Sequence, residues 1–312
     1  MTVEGIWVPK RKKGVEYHPY RERRSCIGEL EQLDGSYHKW FEERAPECCL
    51  IAFIDDATSR IMDGLFTDHE GTFTLFQVME HYLLTYGRPL ALYVDRHSTY
   101  KVNRQATIEE ELRDSQPLSQ FSRAMDTLGI ELIYALSSQA KGRIERLFET
   151  LQDRLVKELR LEGISDPKSA TEYFRTVYIP KHNGQFAVCA KDPVNMHRKL
   201  VPDMSLAEIF TLQTPRVVSK DLVAQYKNNR YLLIAEGAKR YTLPKTTITV
   251  HEDCAGKISL WQKDDQLPFT CLGKINQQPK LIQIASAKTF KEKRVVIPGK
   301  DHPWRQRLLP AI

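Results

Sequence analysis

Two hydrophobic periods divide this chain into elements. Ile27 to Ser36 carries a weak strand pattern in which Leu30, Gln32 and Asp34 share one face. Cys48 to Ile54 is a clearer strand, and Ile61 to Phe66 returns after the polar turn Asp55-Asp56-Ala57-Thr58-Ser59-Arg60, so the two form a hairpin. The period then lengthens. Phe73, Phe76, Val78, Met79, Tyr82 and Leu83 predict a helix from about His69 to Tyr86, closed by Gly87 and barred by Pro89. Leu90 to Val94 is a nearly continuous apolar run, as in an interior parallel strand. Residues 96–117 are polar without a period. A short helix over Leu118 to Leu128 and a strand over Ile130 to Tyr134 follow. Next come a long helix from Gly142 to Leu161 and a further one from Asp166-Pro167 to Tyr178, ending before Pro180. From Arg216 the pattern becomes short β runs: Arg216–Val218, Tyr231–Ile234, Tyr241–Leu243, Thr247–Val250 and Ile258–Trp261. Their close spacing suggests a small all-β barrel.

The order strand-strand-strand-helix-strand-helix-strand-helix predicts an α/β unit whose sheet mixes a hairpin with parallel strands. In such sheets ligands bind beyond the carboxyl ends of the strands. Asp34 is expected at the end of the first strand, Asp95 at the end of the fourth, and Glu145 near the start of the helix after the fifth. At about 100° per residue, Ile144, Leu147, Phe148, Leu151, Leu155 and Leu159 fall in one arc of that helix. Glu145 lies at the arc's edge beside Gln152, Glu149 points further out, and Arg143, Arg146, Arg154 and Lys157 lie on the far side. An acid at the edge of the buried face can reach toward Asp34 and Asp95. Three carboxylates suit Mg²⁺, which prefers oxygen ligands and keeps several waters. A pair of such ions about 4 Å apart can activate a nucleophile and stabilise a leaving oxygen in phosphodiester cleavage. Taken singly, each acid has a structural reading: a turn or cap for Asp34 and Asp95, a helix-terminus charge or an i,i+4 partner for Glu145. Asp55 and Asp56 read as turn residues.

Charge adds DNA to this picture. The 312 residues carry a net charge of +6, unevenly spread. Residues 1–25 hold seven Lys/Arg, including Lys10, Arg11, Lys12 and Lys13, against three acids, and residues 286–312 hold seven against two. Basic ends suit phosphate contacts, because each neutralised phosphate releases counterions. Lys141, Arg143 and Arg146 flank Glu145 and could hold phosphates there; the alternative is a solvated helix face. Six cysteines show no metal-type spacing, so reduced thiols are expected, with Cys48 and Cys49 buried as small hydrophobes. The sequence contains no apolar run long enough to cross a bilayer.

Three stretches, Gln32-Leu33-Asp34-Gly35-Ser36, Tyr93-Val94-Asp95-Arg96-His97 and Lys141-Gly142-Arg143-Ile144-Glu145-Arg146, resemble the bacterial insertion-sequence transposases with a retroviral-integrase-like (DDE) core, in particular the ISNCY group. The likeness covers about residues 5–262. It implies a ribonuclease-H-like fold, a mixed five-stranded sheet with flanking helices, followed by a small all-β barrel. The corresponding divisions are a basic arm (1–25), a catalytic core (26–185), a connector (186–215), a DNA-binding β-barrel (216–262) and a basic tail (263–312). It implies Asp34, Asp95 and Glu145 as a metal-binding triad holding two Mg²⁺ or Mn²⁺ ions. It further implies cleavage and strand transfer at transposon ends, a homo-oligomer assembled on DNA, and a cytoplasmic, nucleoid-associated setting. Two departures stand out. The interval from Asp95 to Glu145 is longer than in retroviral integrases, and only a basic arm precedes the core where such enzymes carry helix-turn-helix modules. The second departure leaves as an alternative a truncated, non-catalytic DNA-binding transposase fragment acting as an inhibitor, and a ribonuclease-H-like nuclease that cuts without joining is another.

Overall fold

β1 (Leu30–His38) is the axis of the first unit. It pairs antiparallel with β2 (Cys48–Asp55), which pairs antiparallel with β3 (Ile61–Thr67). On its other side β1 pairs parallel with β4 (Ala91–Val94), and β4 with β5 (Glu131–Tyr134). The order is β3-β2-β1-β4-β5, the mixed five-stranded, ribonuclease-H-like sheet that was expected. The computed structural model describes residues 22–95, 100, 118–135, 142–202, 204–234 and 245–274. Lys141, the 10–13 cluster, the strand expected at 241–243 and the tail from 275 lie outside them.

Alternation along β1 and β2 sends side chains into two cores. Leu33, Cys49, Ile51 and Phe53 meet α1 (Thr72–Tyr86) and α2 (Gln120–Thr127) on one face. Cys48, Leu50, Ala52 and Ile54 meet α3 (Gly142–Leu161) and α4 (Pro167–Tyr173) on the other. β2 is buried on both faces and is accordingly apolar at every position before Asp55. Both cysteines are buried as expected, and burial pushes their thiols up to about 11 and about 12. Local signals set the helix ends. Gly87 closes α1 at φ +93°, where a side chain would be strained. Ser119 accepts from the Ser122 N–H to start α2, and Asp166 accepts from the Ser169 N–H to start α4, with Pro167 at its first position.

The chain does not stop at Pro180. A π-helical turn over Phe174–Tyr178 leads into α5 (Ile179–Phe186). Pro180 has no N–H to give to the preceding turn, and a widened turn absorbs the missing bond without ending the helix. The periodicity gave no hint of this, because proline normally marks the boundary.

A short α6 (Leu206–Ile209) packs into the first core, and the β-rich unit begins directly after it. β6 (Leu212–Val217), β9 (Thr247–Glu252), β10 (Ile258–Gln262) and β11 (Asp265–Leu267) form one sheet. β7 (Val223–Tyr226), β8 (Asn229–Leu233) and β12 (Phe269–Lys274) form another. Val218, Ala224, Tyr226, Ile248, Val250 and Leu260 fill the space between them. Among the described residues this is a pair of sheets and not a closed barrel. It also starts earlier than expected, at Leu212, and runs later, to Lys274. Lys227 and Asn228, both at positive φ, make the tight β7–β8 turn that the strand pattern alone did not signal. The unit is fastened to the first by Gln120, whose side chain exchanges two 2.8 Å bonds with the Gln213 backbone, and by Arg123, which donates to the carbonyls of Ile209 and Thr211.

Candidate active site

The parallel register of β1 and β4 fixes two of the three acids. Leu30 lies opposite Ala91, Glu31 opposite Leu92 and Gln32 opposite Tyr93. Two residues further along, Asp34 comes level with Asp95. Neighbouring strands lie about 4.8 Å apart, so the two carboxylates share a neighbourhood. They also share a face, because Leu33 and Val94 both point into the opposite core. Both acids are half-buried. Asp34 is not at a strand end, contrary to the sequence reading. Among the described residues β4 ends at Val94, while β1 continues, paired with β2, through His38 opposite Cys48. Asp34 therefore stands where the sheet narrows, and Gly35 donates its N–H to the Asp34 Oδ1 at 3.1 Å.

α3 crosses this point along β1. The Ile144 N–H donates to the Gln32 Oε1 at 3.3 Å, and the Gln152 Nε2 donates to the Ser36 Oγ at 3.1 Å. Gln32 and Ser36 flank Asp34 on the same face of the strand, so the helix passes over it. Ile144, Leu147, Phe148, Leu151, Leu155 and Leu159 are its buried stripe, as the helical arc required. The two flanks differ. On the hairpin side, Arg143 donates to the Asp56 Oδ1 at 2.7 Å, with the side chains 8% and 0% exposed. Glu145, Glu149 and Gln152 occupy the flank opposite Arg143, because positions i, i+4 and i+7 align on a helix. Glu145 lies in the first turn of α3 and is exposed.

Carboxylate oxygens at Asp34 and Asp95 are the donor type that Mg²⁺ or Mn²⁺ takes. Among the described residues, no three Asp, Glu, His or Cys side chains stand close enough to hold an ion together. The pair is of a kind that fits a divalent cation; Glu145, expected as the third acid, is exposed in the first turn of α3 and is not grouped with them.

Other acids nearby have different work. Asp55 accepts from the N–H of Gly28 and from the N–H and hydroxyl of Thr58. Asp56 accepts from Arg143, Gln32 and the Arg24 N–H. Asp63 takes both a bidentate Arg175 and His81. All three are buried, and their donors tie the hairpin to the helices and to the start of the chain. Arg143, expected at DNA, is buried in one of these pairs. Arg146 is exposed and gives its Nε–H to the Gly142 carbonyl at 2.8 Å. Glu31 is fully buried, 4.0 Å from the His197 Nε2. Burial first, then Asp55, pushes its carboxyl well above the usual range. His197, whose Nε2 also meets the Tyr82 hydroxyl at 2.7 Å, is shifted down by burial. The sequence reading missed Gln32, Gln152 and the Asp56–Arg143 pair. Only Gln32 left a signal, a polar residue two places before Asp34 on an otherwise buried face.

A mixed sheet of the order β3-β2-β1-β4-β5 agrees with the ribonuclease-H-like fold that the sequence resemblance implied. The sequence relatives are transposases. The chain is 36% identical over 276 residues to a putative transposase, y4bF, of Sinorhizobium fredii (strain NBRC 101917 / NGR234), an alignment covering 88% of this chain and 58% of that protein. It is 30% identical over 295 residues to the transposase for insertion sequence IS1202 of Streptococcus pneumoniae, covering 92% and 60% respectively. The resemblance to insertion-sequence transposases read from the sequence therefore holds over nearly the whole chain, which itself spans about three fifths of the curated relatives it matches. No family model matches the chain. Among solved structures, a simian T-cell lymphotropic virus intasome with a PP2A regulatory subunit aligns at 12% identity and TM-score 0.40, over 81% of this chain and 82% of that one. The HTLV-2 integrase catalytic core with magnesium aligns at 15% identity and TM-score 0.35, over 55% and 96%. Among the described residues no helix is long and apolar enough to cross a membrane.

Proposed function

We propose that this chain is the catalytic portion of a DDE transposase that cleaves and joins DNA at transposon ends, with Asp34, Asp95 and Glu145 as its metal-binding acids. The observation that supports the reading is the β1–β4 register, which brings Asp34 level with Asp95, with Glu145 in the first turn of α3. Mg²⁺ or Mn²⁺, two ions in this reading, would lower the cost of bringing an activated oxygen to an anionic phosphodiester. Asp34 and Asp95 hold the ion side of the site, and Gln32 and Gln152 hold α3 above it. Arg143 fixes the start of α3 through Asp56, so its part is positioning. DNA is held by Arg146, by Lys141 and by the cluster Lys10, Arg11, Lys12 and Lys13, with the paired β-sheets as a further DNA-binding unit and a homo-oligomer as the working assembly. The ISNCY grouping and a cytoplasmic, nucleoid-associated setting belong to the same proposal.

The test is nicking and strand transfer by the purified chain with Mn²⁺ and transposon-end DNA. Asp95→Asn and Glu145→Gln should each abolish both products, and activity unchanged in either would sink the assignment. A second reading, a DNA-binding fragment without catalysis, draws its support from the exposure of Glu145 and from the lack, among the described residues, of three ligating side chains grouped together. Salt-sensitive DNA binding without any metal-dependent product would favour it. Cleavage without joined products would favour a nuclease.

A further inference from the structure

The flank of α3 opposite Glu145 borders a cavity of about 360 Å³, between the helix, the β2–β3 turn and α5. Arg23, Arg143, Arg146, Thr150, His182 and Phe186 line it, and no acid among the described residues does. Arg143 is committed to Asp56. Arg23 uses one nitrogen, Nη1, on the Ala57 carbonyl and the Ser59 hydroxyl, and Arg146 uses its Nε on the Gly142 carbonyl. A guanidinium has five N–H donors, so each keeps several for a ligand. His182 is only 6% exposed, and its Nδ1 has no hydrogen-bond partner. Its ring stacks on Tyr178 at 5.9 Å and lies 4.8 Å from that of Phe186. A buried polar nitrogen without a partner costs free energy.

We propose that this cavity is a phosphate-binding recess, in which Arg23 and Arg146 clasp a phosphate group over His182. Guanidinium forks match phosphate oxygens in pairs, and a neutral imidazole can give its one N–H to a third. Burial shifts His182 downward, so the neutral ring is the form present at neutral pH, and two arginines are the charge that a phosphate meets. The volume exceeds that of a phosphate alone, leaving room for an attached sugar. The recess lies on the flank of α3 away from the aspartates, so it would hold a strand beside the reaction centre and not at it. The inference does not depend on the carboxylate reading.

The experiment is done without metal, so failure of cleavage and failure of this recess are separate results. Binding of a fluorescein-labelled single-stranded oligonucleotide to the full chain is followed by anisotropy, with inorganic phosphate titrated in a second arm, and the His182 imidazole resonance is read by NMR in both. The double substitution Arg23→Gln/Arg146→Gln should weaken oligonucleotide binding about tenfold or more. Thr150→Glu, which puts a carboxylate in the recess without removing an arginine, should do the same. Lys168→Gln, an exposed cation elsewhere, should stay within about twofold. A His182 shift with the oligonucleotide alone marks a nucleic-acid phosphate; a shift with inorganic phosphate as well marks a site for the free anion. Either supports the recess. Unchanged binding in both lining variants, an equal loss in Lys168→Gln, or a silent His182 in both arms would overturn it.

Discussion

The β2–β3 hairpin and the β1–β4 pair handle charge in opposite ways. On the hairpin side, Asp55, Asp56 and Asp63 are buried and each accepts hydrogen bonds from at least two residues. On the β4 side, Asp34 and Asp95 are half-buried abreast of each other and Glu145 is exposed. Buried acids with full sets of donors hold elements together, and their removal is felt as stability. Asp34 and Asp95 are only half-buried and lie level on neighbouring strands, and in the proposed function they face the cation. The contrast is one of burial and donors, and Arg143, through its bond to Asp56, sits on the hairpin side of it.

The largest expected effect comes from breaking the hairpin-side pair. Asp56→Ala leaves Arg143 buried without its carboxylate, and such losses cost about 3–5 kcal/mol. Chemical denaturation measures it. A cost below about 1 kcal/mol would mean that the pair does not organise the start of α3.

A smaller and pH-dependent effect is expected at Glu31. Its carboxyl is shifted well up by burial and by Asp55, so the folded state retains a proton that the unfolded chain releases. The stability tied to that proton is complete below the unfolded value, near pH 4.3, and is lost as pH rises toward the folded value. Glu31→Gln removes the titration. It should match the wild type near pH 4 and gain on it as pH rises above 5, by at most about 1.4 kcal/mol per pH unit. Denaturation curves at pH 4, 6 and 8 decide this. A constant difference across the three would refute it.

The smallest effect belongs to the flank that carries Glu145. Gln152→Ala removes one partly buried bond to Ser36 and should cost about 1 kcal/mol. If α3 must sit squarely over Asp34, this variant should lose more activity than stability.

Much of this was legible in the sequence where pattern and position coincide. The apolar run of β2, the periodic stripe of α3 and the placement of Asp95 after β4 followed from hydrophobic spacing alone. Asp34 was read at a strand end because the pattern of β1 weakens there; pairing with β2 carries the strand on through polar residues. Strands β7, β11 and β12 were missed because they are short and half-exposed. The Asp56–Arg143 bond joins residues 87 apart, and nothing local to either announces it. The π-helical turn before Pro180 defeats a rule that is sound for ordinary helices.

The central claim is that the β4-side acids, and not the hairpin-side ones, hold the catalytic cation. Mn²⁺ binding, followed by loss of the free-ion electron paramagnetic resonance signal, tests it without any DNA. The wild-type chain should bind Mn²⁺, and Asp34→Asn/Asp95→Asn should abolish that binding while its melting temperature in chelator stays within a degree or two of wild type. Mn²⁺ held equally well by the double variant would contradict the account.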